Sequence, residues 1–191
     1  MIARRVKGYA DGGRFNRRWY THARAIVSRV AAATGCSTNR VADVLAITSP
    51  RCTVNRNLAV TCQYLQTGTV PADVTKSTRA ALRYYESTGK IRGPKTSRFA
   101  AVLKGDESHL VVDTHIARAF GHDERAARTK RVREQILPIV QRIAKRRGWT
   151  IAATQAAIWA GYYRAAYPTG NVPRYKRELI SVNVAGKGVP F

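Results

Sequence analysis

Apolar residues recur at helical spacing along most of the chain, and the alternation typical of strands is nearly absent. Capping residues or Pro precede these segments, and Gly or Pro follows several of them. The pattern predicts helices over about 19–34, 53–66, 76–88 and 151–166, after Ser37, from Pro94 to Leu103, from Asp113 to about Phe120, and around residues 136–143. We therefore predict an all-α class.

The pattern also divides the chain into three parts. Arginines and lysines alternate with Gly8, Gly12 and Gly13 in residues 1–18, which predicts a flexible basic arm. Residues 19–167 hold the periodic helices and are expected to form one domain. Residues 168–191 are rich in Gly, Pro and basic residues, and we expect a tail there, in which 179–184 has no clear assignment.

The charge balance is extreme for a globular chain. The 191 residues include 34 Lys and Arg against 11 Asp and Glu, a net charge of +23, while a hydrophobic content of 45% excludes global disorder. A compact domain with this charge repels itself, so we expect a polyanionic partner. Nucleic acid fits best, because contacts to phosphates release counterions. An anionic membrane surface, or a packaging protein that uses charge alone, is the alternative.

The cysteines and the hydropathy limit the cellular compartments in which the protein is expected. Cys36, Cys52 and Cys62 form no CxxC motif and have no His nearby, so we expect reduced, partly buried thiols and no metal site. No apolar run approaches the roughly 20 residues of a membrane span. The first residues lack the apolar core of a signal peptide. We therefore expect a cytoplasmic protein without a membrane contact.

Two predicted helices are joined by the short segment 89–93, GKIRG. Backbone N–H groups of such a turn, together with the positive end of the following helix, can hold a phosphate. Lys90, Arg92 and Lys95 surround the turn. The alternative interpretation is an ordinary helix turn with solvated basic residues.

The segment that follows is more specific. Residues 93–103 read GPKTSRFAAVL and residues 112–118 read VDTHIAR, with Asp113 placed 18 residues after Lys95. These strings resemble the endonuclease III branch of the helix-hairpin-helix DNA glycosylases. Residues 45–55 and 158–163 are similar to two further segments of that superfamily, so the resemblance spans about residues 40–167.

The resemblance implies a shortened helix-hairpin-helix glycosylase bundle that extrudes a base from double-stranded DNA and cleaves its N-glycosidic bond, with or without abasic-site lyase activity. It implies that Lys95 is the amine that attacks the sugar C1′ and that Asp113 supports the cationic transition state. A Lys95–Asp113 salt bridge joining two helices is the structural alternative. The residues expected to contact DNA are Lys90, Ile91, Arg92, Gly93, Thr96, Arg98, Arg118, Thr48 and Arg51.

Four departures from that family keep other functions open. Ile91 stands where the first hairpin Gly is usual, Arg51 replaces an acidic residue, and the stretch from Thr48 to Lys95 is short. No Cys follows Cys62, so we expect no iron–sulfur cluster and no other cofactor. A non-catalytic DNA-binding protein and a phage enzyme that modifies DNA bases are therefore alternatives. We expect a monomer, in the host cytoplasm if the protein is encoded by a phage.

Aromatic residues are weaker candidates for base contacts. Trp19, Tyr20, Tyr84 and Tyr85 can stack on a base, although aromatic side chains on helices are usually core residues. We assign Trp159 to the core and His115 to helix packing.

Overall fold

The computed structural model describes residues 2–176. Within that range the chain is helical and contains no strand, which confirms the all-α class. Short 3₁₀ turns lie at Arg14–Asn16 and Ala126–Arg128. The α-helices are α1 (Ile2–Gly12), α2 (Trp19–Thr34), α3 (Thr38–Thr48), α4 (Val54–Thr67), α5 (Lys76–Thr88), α6 (Pro94–Leu103), α7 (Thr114–Ala119), α8 (Lys130–Arg147) and α9 (Ile151–Ala166).

Side-chain caps explain most of the helix starts. A side-chain oxygen of the residue before the helix accepts a hydrogen bond from the backbone N–H three residues later, which satisfies one donor that the helix leaves unpaired. Six helices begin in this way, at Ser37, Thr53, Thr75, Asp113, Thr129 and Thr150. Helix α6 differs, because it begins after Gly93 and has no side-chain cap.

The chain divides into two compact units, where the sequence predicts one domain over 19–167. Unit 1 combines the chain up to Thr21 with Gly105–Val172. Unit 2 consists of His22–Lys104 and, among the described residues, 173–176. The boundary falls inside α2, so this helix contributes its first turn to unit 1 and the rest to unit 2.

Unit 1 has an apolar core between α1, α7, α8 and α9. Helices α1 and α9 cross with their backbones in contact, because a Cβ atom at Gly161 would overlap the carbonyl of Tyr9, and one at Gly13 would overlap the carbonyl of Ala157. Two small residues therefore set the distance between these helices. The core residues are Val6, Ala10, Leu110, Val112, Ile116, Ala117, Ala119, Phe120, Val132, Ile136, Val140, Ile143 and Ile158.

The prediction of a flexible arm over 1–18 is wrong for most of its length. Val6 and Ala10 of α1 are fully buried. The Asp11 carboxylate accepts hydrogen bonds from Arg147 and Lys7, and the Arg147 bond is the main reason that the pKa of Asp11 lies below its usual value. Two apolar residues four positions apart are enough to anchor α1, because glycine at the crossing allows close contact with α9.

Unit 2 has its own apolar cluster. Val44, Ile47, Leu82 and Tyr85 form its buried centre. The Tyr85 hydroxyl donates to Asp43 Oδ2 at 3.0 Å, and Lys104 Nζ lies 2.6 Å from Asp43 Oδ1. Burial and the neighbouring Asp43 carboxylate raise the pKa of Tyr85 to about 12.

The beginning of the predicted tail contacts unit 2. Asn57 Nδ2 donates to the Tyr175 hydroxyl at 3.2 Å, and burial raises the pKa of Tyr175. The backbone N–H of Lys176 donates to Asn55 Oδ1 at 3.2 Å. The rest of the predicted tail, including residues 179–184, lies outside the described residues. None of the helices that the structure describes combines the length and the apolar character needed to cross a bilayer.

Candidate nucleic-acid site

The segment between α5 and α6 is the hairpin that the sequence predicts. Helix α5 ends at Thr88, and Gly89 follows with a φ of 68°. The backbone N–H of Lys90 donates to Thr88 Oγ1 at 3.2 Å. Gly93 has φ 90° and ψ 136°, a conformation that side chains disfavour, and Pro94 then occupies the first helical position. Glycine is therefore required at the turn into α6.

The start of α6 has donors that its own side chains do not use. Pro94 has no N–H, and no side chain caps the N–H groups of Lys95 and Thr96. Ser97 stabilises the turn from inside, because its N–H and its Oγ both donate to the Gly93 carbonyl, at 3.0 and 2.9 Å. Ser97 therefore stabilises the start of α6, while the first backbone donors and the positive end of the helix dipole remain available to an anion.

Two of the predicted basic residues are held by neighbours. The Arg92 guanidinium lies 3.5 Å from the centre of the Tyr84 ring, and Arg98 Nη1 donates to the Pro94 carbonyl at 3.0 Å. Lys90 is exposed. The hairpin therefore has cations on both sides of the turn, of which Arg92 is oriented by a cation–π contact.

Ile91, one of the predicted DNA contacts, also has a structural role. Its side chain packs against the apolar cluster of unit 2, and its carbonyl accepts a hydrogen bond from Ser97 Oγ at 3.4 Å. Ile91 therefore anchors the hairpin to the core of its unit. The side chain is half-buried in this position.

Lys95 lies in the first turn of α6 in unit 2 and is half-buried, as is Thr96. Within the described residues of unit 2, Lys95 forms no salt bridge, whereas Arg40, Arg56 and Lys104 of the same unit are each paired with a carboxylate. The Lys95 amine is therefore not held by a local ion pair.

Asp113 belongs to unit 1 and caps α7, as the sequence predicts. Its Oδ1 accepts a hydrogen bond from the Ile116 N–H at 2.8 Å, and the residue is half-buried. The three residues that precede it are buried and fix its position at the helix start; they are Leu110, Val111 and Val112. Among the described residues of unit 1, no group donates a hydrogen bond to the second oxygen, so the carboxylate is fixed in place with one oxygen available.

The prediction that Thr48 contacts DNA is wrong. Thr48 is 3% exposed, and its Oγ1 lies 2.6 Å from Asn57 Oδ1 and 2.9 Å from Thr61 Oγ1. It also donates to the Val44 carbonyl at 2.9 Å. The position falls on the buried face of α3, where the hydroxyl is satisfied inside unit 2.

Two further predicted arginines are open to solvent. Arg51 is exposed in the turn after α3, and among the described residues it is the one non-glycine residue with a positive φ, 58°. Arg118 is exposed on α7, where its guanidinium lies 4.0 Å from Glu124. Both arginines are therefore accessible to a phosphate.

Three of the four aromatic candidates are used inside their units. The Tyr84 ring forms a cation–π contact with Arg92. The Tyr85 hydroxyl donates a hydrogen bond to Asp43, and the Tyr20 hydroxyl donates one to Gln155 at 2.6 Å. Trp19 is half-buried and lies 6.0 Å from Trp159, between ring centroids. Trp159 is itself half-buried, although the sequence assigns it to the core.

The sequence interpretation missed a group of rings around His115. The ring of His115 lies between 5.7 and 6.3 Å from its neighbours, measured between centroids. The spacing of four residues between Trp159, Tyr163 and Tyr167 was the signal that could have revealed three of them. The neighbouring rings are Trp159, Tyr162, Tyr163 and Tyr167.

Comparison with known proteins identifies a family. The model of DUF7178, described as a family of unknown function, matches residues 10–165. The chain belongs to this family. The match includes the end of α1, the hairpin and Asp113, so the DUF7178 region covers parts of both units. No curated protein and no solved structure matches the chain.

The cysteines of the DUF7178 chain are free thiols. Cys36 and Cys52 are half-buried and Cys62 is buried, and burial raises the pKa of Cys62 to about 11. Burial also raises the pKa of Cys52. In the described part of the chain, no three His, Cys, Asp or Glu side chains are grouped to hold a metal ion.

Proposed function

We propose that the protein is a DNA glycosylase that grips duplex DNA with the α5–α6 hairpin and uses Lys95 and Asp113 as its catalytic residues. The observation that carries the proposal is the open start of α6. There, a glycine-dependent turn leaves backbone donors uncapped, with Lys95 in the first helical turn.

The electrostatics of the hairpin favour a phosphate ligand. An anion at a helix start is stabilised by the unpaired N–H groups and by the helix dipole. Lys90 and Arg92 add two positive charges beside the turn, and the net charge of +23 favours a polyanion over a single ion. Ile91 packs against the apolar cluster of unit 2 and so fixes the position of the turn that carries these charges.

Lys95 is proposed as the nucleophile. Its free amine attacks the sugar C1′, the bond from C1′ to the base breaks, and the base leaves with a proton. Ring opening then yields a Schiff base between the lysine nitrogen and C1′. A half-buried amine that has no ion pair with any described residue of its unit suits this role better than a solvated surface lysine.

Asp113 is proposed as the group that stabilises the developing positive charge on the sugar. Cleavage of a glycosidic bond passes through a cation-like sugar, for which a fixed carboxylate is the matching charge. The cap bond to the Ile116 N–H fixes the carboxylate, and its second oxygen is available for the substrate.

Covalent trapping tests the chemistry. Native protein is mixed with duplex DNA that contains an abasic site, in the presence of borohydride, which reduces the Schiff base to a stable adduct. We expect an adduct that Lys95→Ala abolishes and that Lys90→Ala, the matched control on the same hairpin, retains. On duplex DNA that carries an oxidised base, where the bond from C1′ to the base must break first, Asp113→Asn keeps a capping side chain and should slow adduct formation by roughly 100-fold, about the loss expected for one electrostatic group.

Absence of an adduct from native protein, or full retention by Lys95→Ala, would contradict the catalytic proposal. A second function is then favoured, namely DNA binding without chemistry. The burial of Thr48 supports it, because no side chain at that position can fill the gap left by an extruded base. In that case, Lys95→Ala and Asp113→Asn should bind duplex DNA like native protein, with a steep dependence on salt.

A further inference from the structure

Aromatic rings form a row along α9 and the residue that caps its end in unit 1. Trp159, Tyr163 and Tyr167 are spaced by four residues, with 5.6 Å between the first two ring centroids and 4.7 Å between the last two. Trp19 extends the row, 6.0 Å from Trp159. We name these four residues the aromatic shelf.

His115 lies against three rings of the aromatic shelf. Its ring centroid is 5.7 Å from that of Tyr163 and 6.1 Å from that of Tyr167. Its Nδ1 atom is buried, and no described residue forms a hydrogen bond with it. Buried nitrogens are nearly always paired in proteins, so this one points to a polar group that is supplied from outside the chain.

The aromatic shelf is partly open to solvent. Trp159 and Tyr163 are half-buried, and Tyr167 is 41% exposed. Adjacent flat rings in a strongly cationic protein match a nucleic acid base, which stacks on aromatic faces while its phosphates attract the cations. Exposed arginines lie close in sequence to the shelf and to His115, since Arg18 precedes Trp19 and Arg118 follows His115 by three residues.

We propose that the aromatic shelf binds an unpaired base of DNA by stacking and that His115 Nδ1 forms a hydrogen bond with the edge of that base. This inference rests on the proposed function in taking DNA as the partner, and it names where an unpaired base is held. Asp113 caps the same short helix that carries His115, so only Thr114 separates the candidate acid from the histidine of the base site.

Tryptophan fluorescence tests the aromatic shelf with single-stranded oligothymidylate as the probe. Trp149→Phe serves as the background, because it removes the one tryptophan outside the shelf and leaves Trp19 and Trp159 as reporters. We expect the probe to quench the fluorescence. Tyr167→Ala should weaken binding roughly 5- to 100-fold, the range for losing one stacked base, and Tyr167→Phe should restore it.

The matched control for Tyr167→Ala is Phe15→Ala, which removes a more exposed ring, at 70%, from the same unit without changing the charge. It should leave the affinity for oligothymidylate unchanged. His115→Phe keeps the ring contacts but loses the nitrogen, and should weaken binding by roughly 2- to 10-fold, the range for one hydrogen bond. A backbone oligomer of the same length without bases should bind more weakly and cause little quenching.

The proposal that the aromatic shelf binds a base would be overturned by either of two results. One is equal binding and quenching by the oligomer without bases, and the other is an equal loss of affinity in Tyr167→Ala and Phe15→Ala. The two proposals fail separately. Adduct formation at Lys95 without any effect of Tyr167→Ala removes only the shelf. Base-dependent quenching without an adduct retains the shelf and removes only the catalytic proposal.

Discussion

Two helix starts, one in each unit, carry the candidate chemistry and are built in opposite ways. In unit 2, α6 begins after Gly93, which has no side chain, so its first donors have no local side-chain acceptor. In unit 1, α7 begins at Asp113, whose carboxylate accepts a hydrogen bond from its own helix. A capped start holds a charged side chain still, whereas an uncapped start can accept an anion from a partner.

The other helices show how much stability α6 loses by having no side-chain cap. Five further helices begin at Ser or Thr caps, each of which contributes about 1 kcal/mol to helix stability. The chain therefore uses caps routinely and lacks one where the sequence predicts a phosphate contact. This contrast is the kind expected of a site that gives up stability for binding.

The largest predicted effect removes the packing on which unit 1 depends. Gly161→Ala places a methyl group against the Tyr9 carbonyl and should destabilise the fold by about 3 kcal/mol, the upper range for overpacking. Thermal unfolding followed by circular dichroism measures the loss. Gly8→Ala is the control, because its Cβ meets open space in a helix interior and should be neutral or stabilise by up to about 1 kcal/mol. Equal melting temperatures for the two variants would refute the close crossing.

A smaller effect is expected at the open helix start of unit 2. Gly93→Ala forces a side chain into a conformation with φ 90° and should cost about 1–3 kcal/mol in urea unfolding, with weakened duplex binding in fluorescence anisotropy. Gly105→Ala introduces similar strain at φ 109° outside the hairpin. It should lower stability and leave duplex binding intact. Loss of binding in both variants would mean that the hairpin has no special role.

Two substitutions at Asp113 separate the cap from the charge. Asp113→Ala removes the bond to the Ile116 N–H and should cost about 1 kcal/mol of unfolding free energy, whereas Asp113→Asn should cost only a few tenths, since Asn also caps helices. Both variants should slow adduct formation on DNA that carries an oxidised base by a similar factor, because both lose the negative charge. If Asp113→Asn unfolds as easily as Asp113→Ala, the carboxylate stabilises the unit through another contact.

The smallest effect concerns the interior of unit 2 at high pH. The folded pKa of Tyr85 is raised to about 12 from an ordinary value of 10.0, so its contribution to stability is complete below pH 10 and is lost as the pH rises towards 12. Tyr85→Phe should flatten the fall in melting temperature across that window. Tyr64, whose pKa is also about 12, remains as an internal reference in the variant. An unchanged pH profile would contradict the assignment to Tyr85.

Local signals were enough to predict most helices. Helix α5 was predicted with both bounds correct, because Thr75 caps its start and Gly89 ends it. Helices α2 and α9 were also predicted with correct bounds. Helix α1 was missed, because Val6 and Ala10 are its only buried residues and the surface that covers them lies far along the chain.

The candidate site also has some features that the sequence predicts and others that it does not. The hairpin and the Asp113 cap depend on neighbours within a few residues, and both could be predicted. The burial of Thr48 and the inward packing of Ile91 depend on which face of a helix meets the core, which a short apolar pattern does not decide. The surroundings of His115 arise only when α7 packs near α9, about 45 residues later in the chain.

The crossing of α1 with α9 has a consequence for how the protein is made. About 140 residues separate these two helices, so α1 leaves the ribosome well before α9 is synthesised. At roughly 5–20 residues per second, that delay is on the order of ten seconds. The helices of unit 2 are synthesised in one continuous stretch during this interval and can assemble first, which leaves a cationic amphipathic segment exposed on the nascent chain.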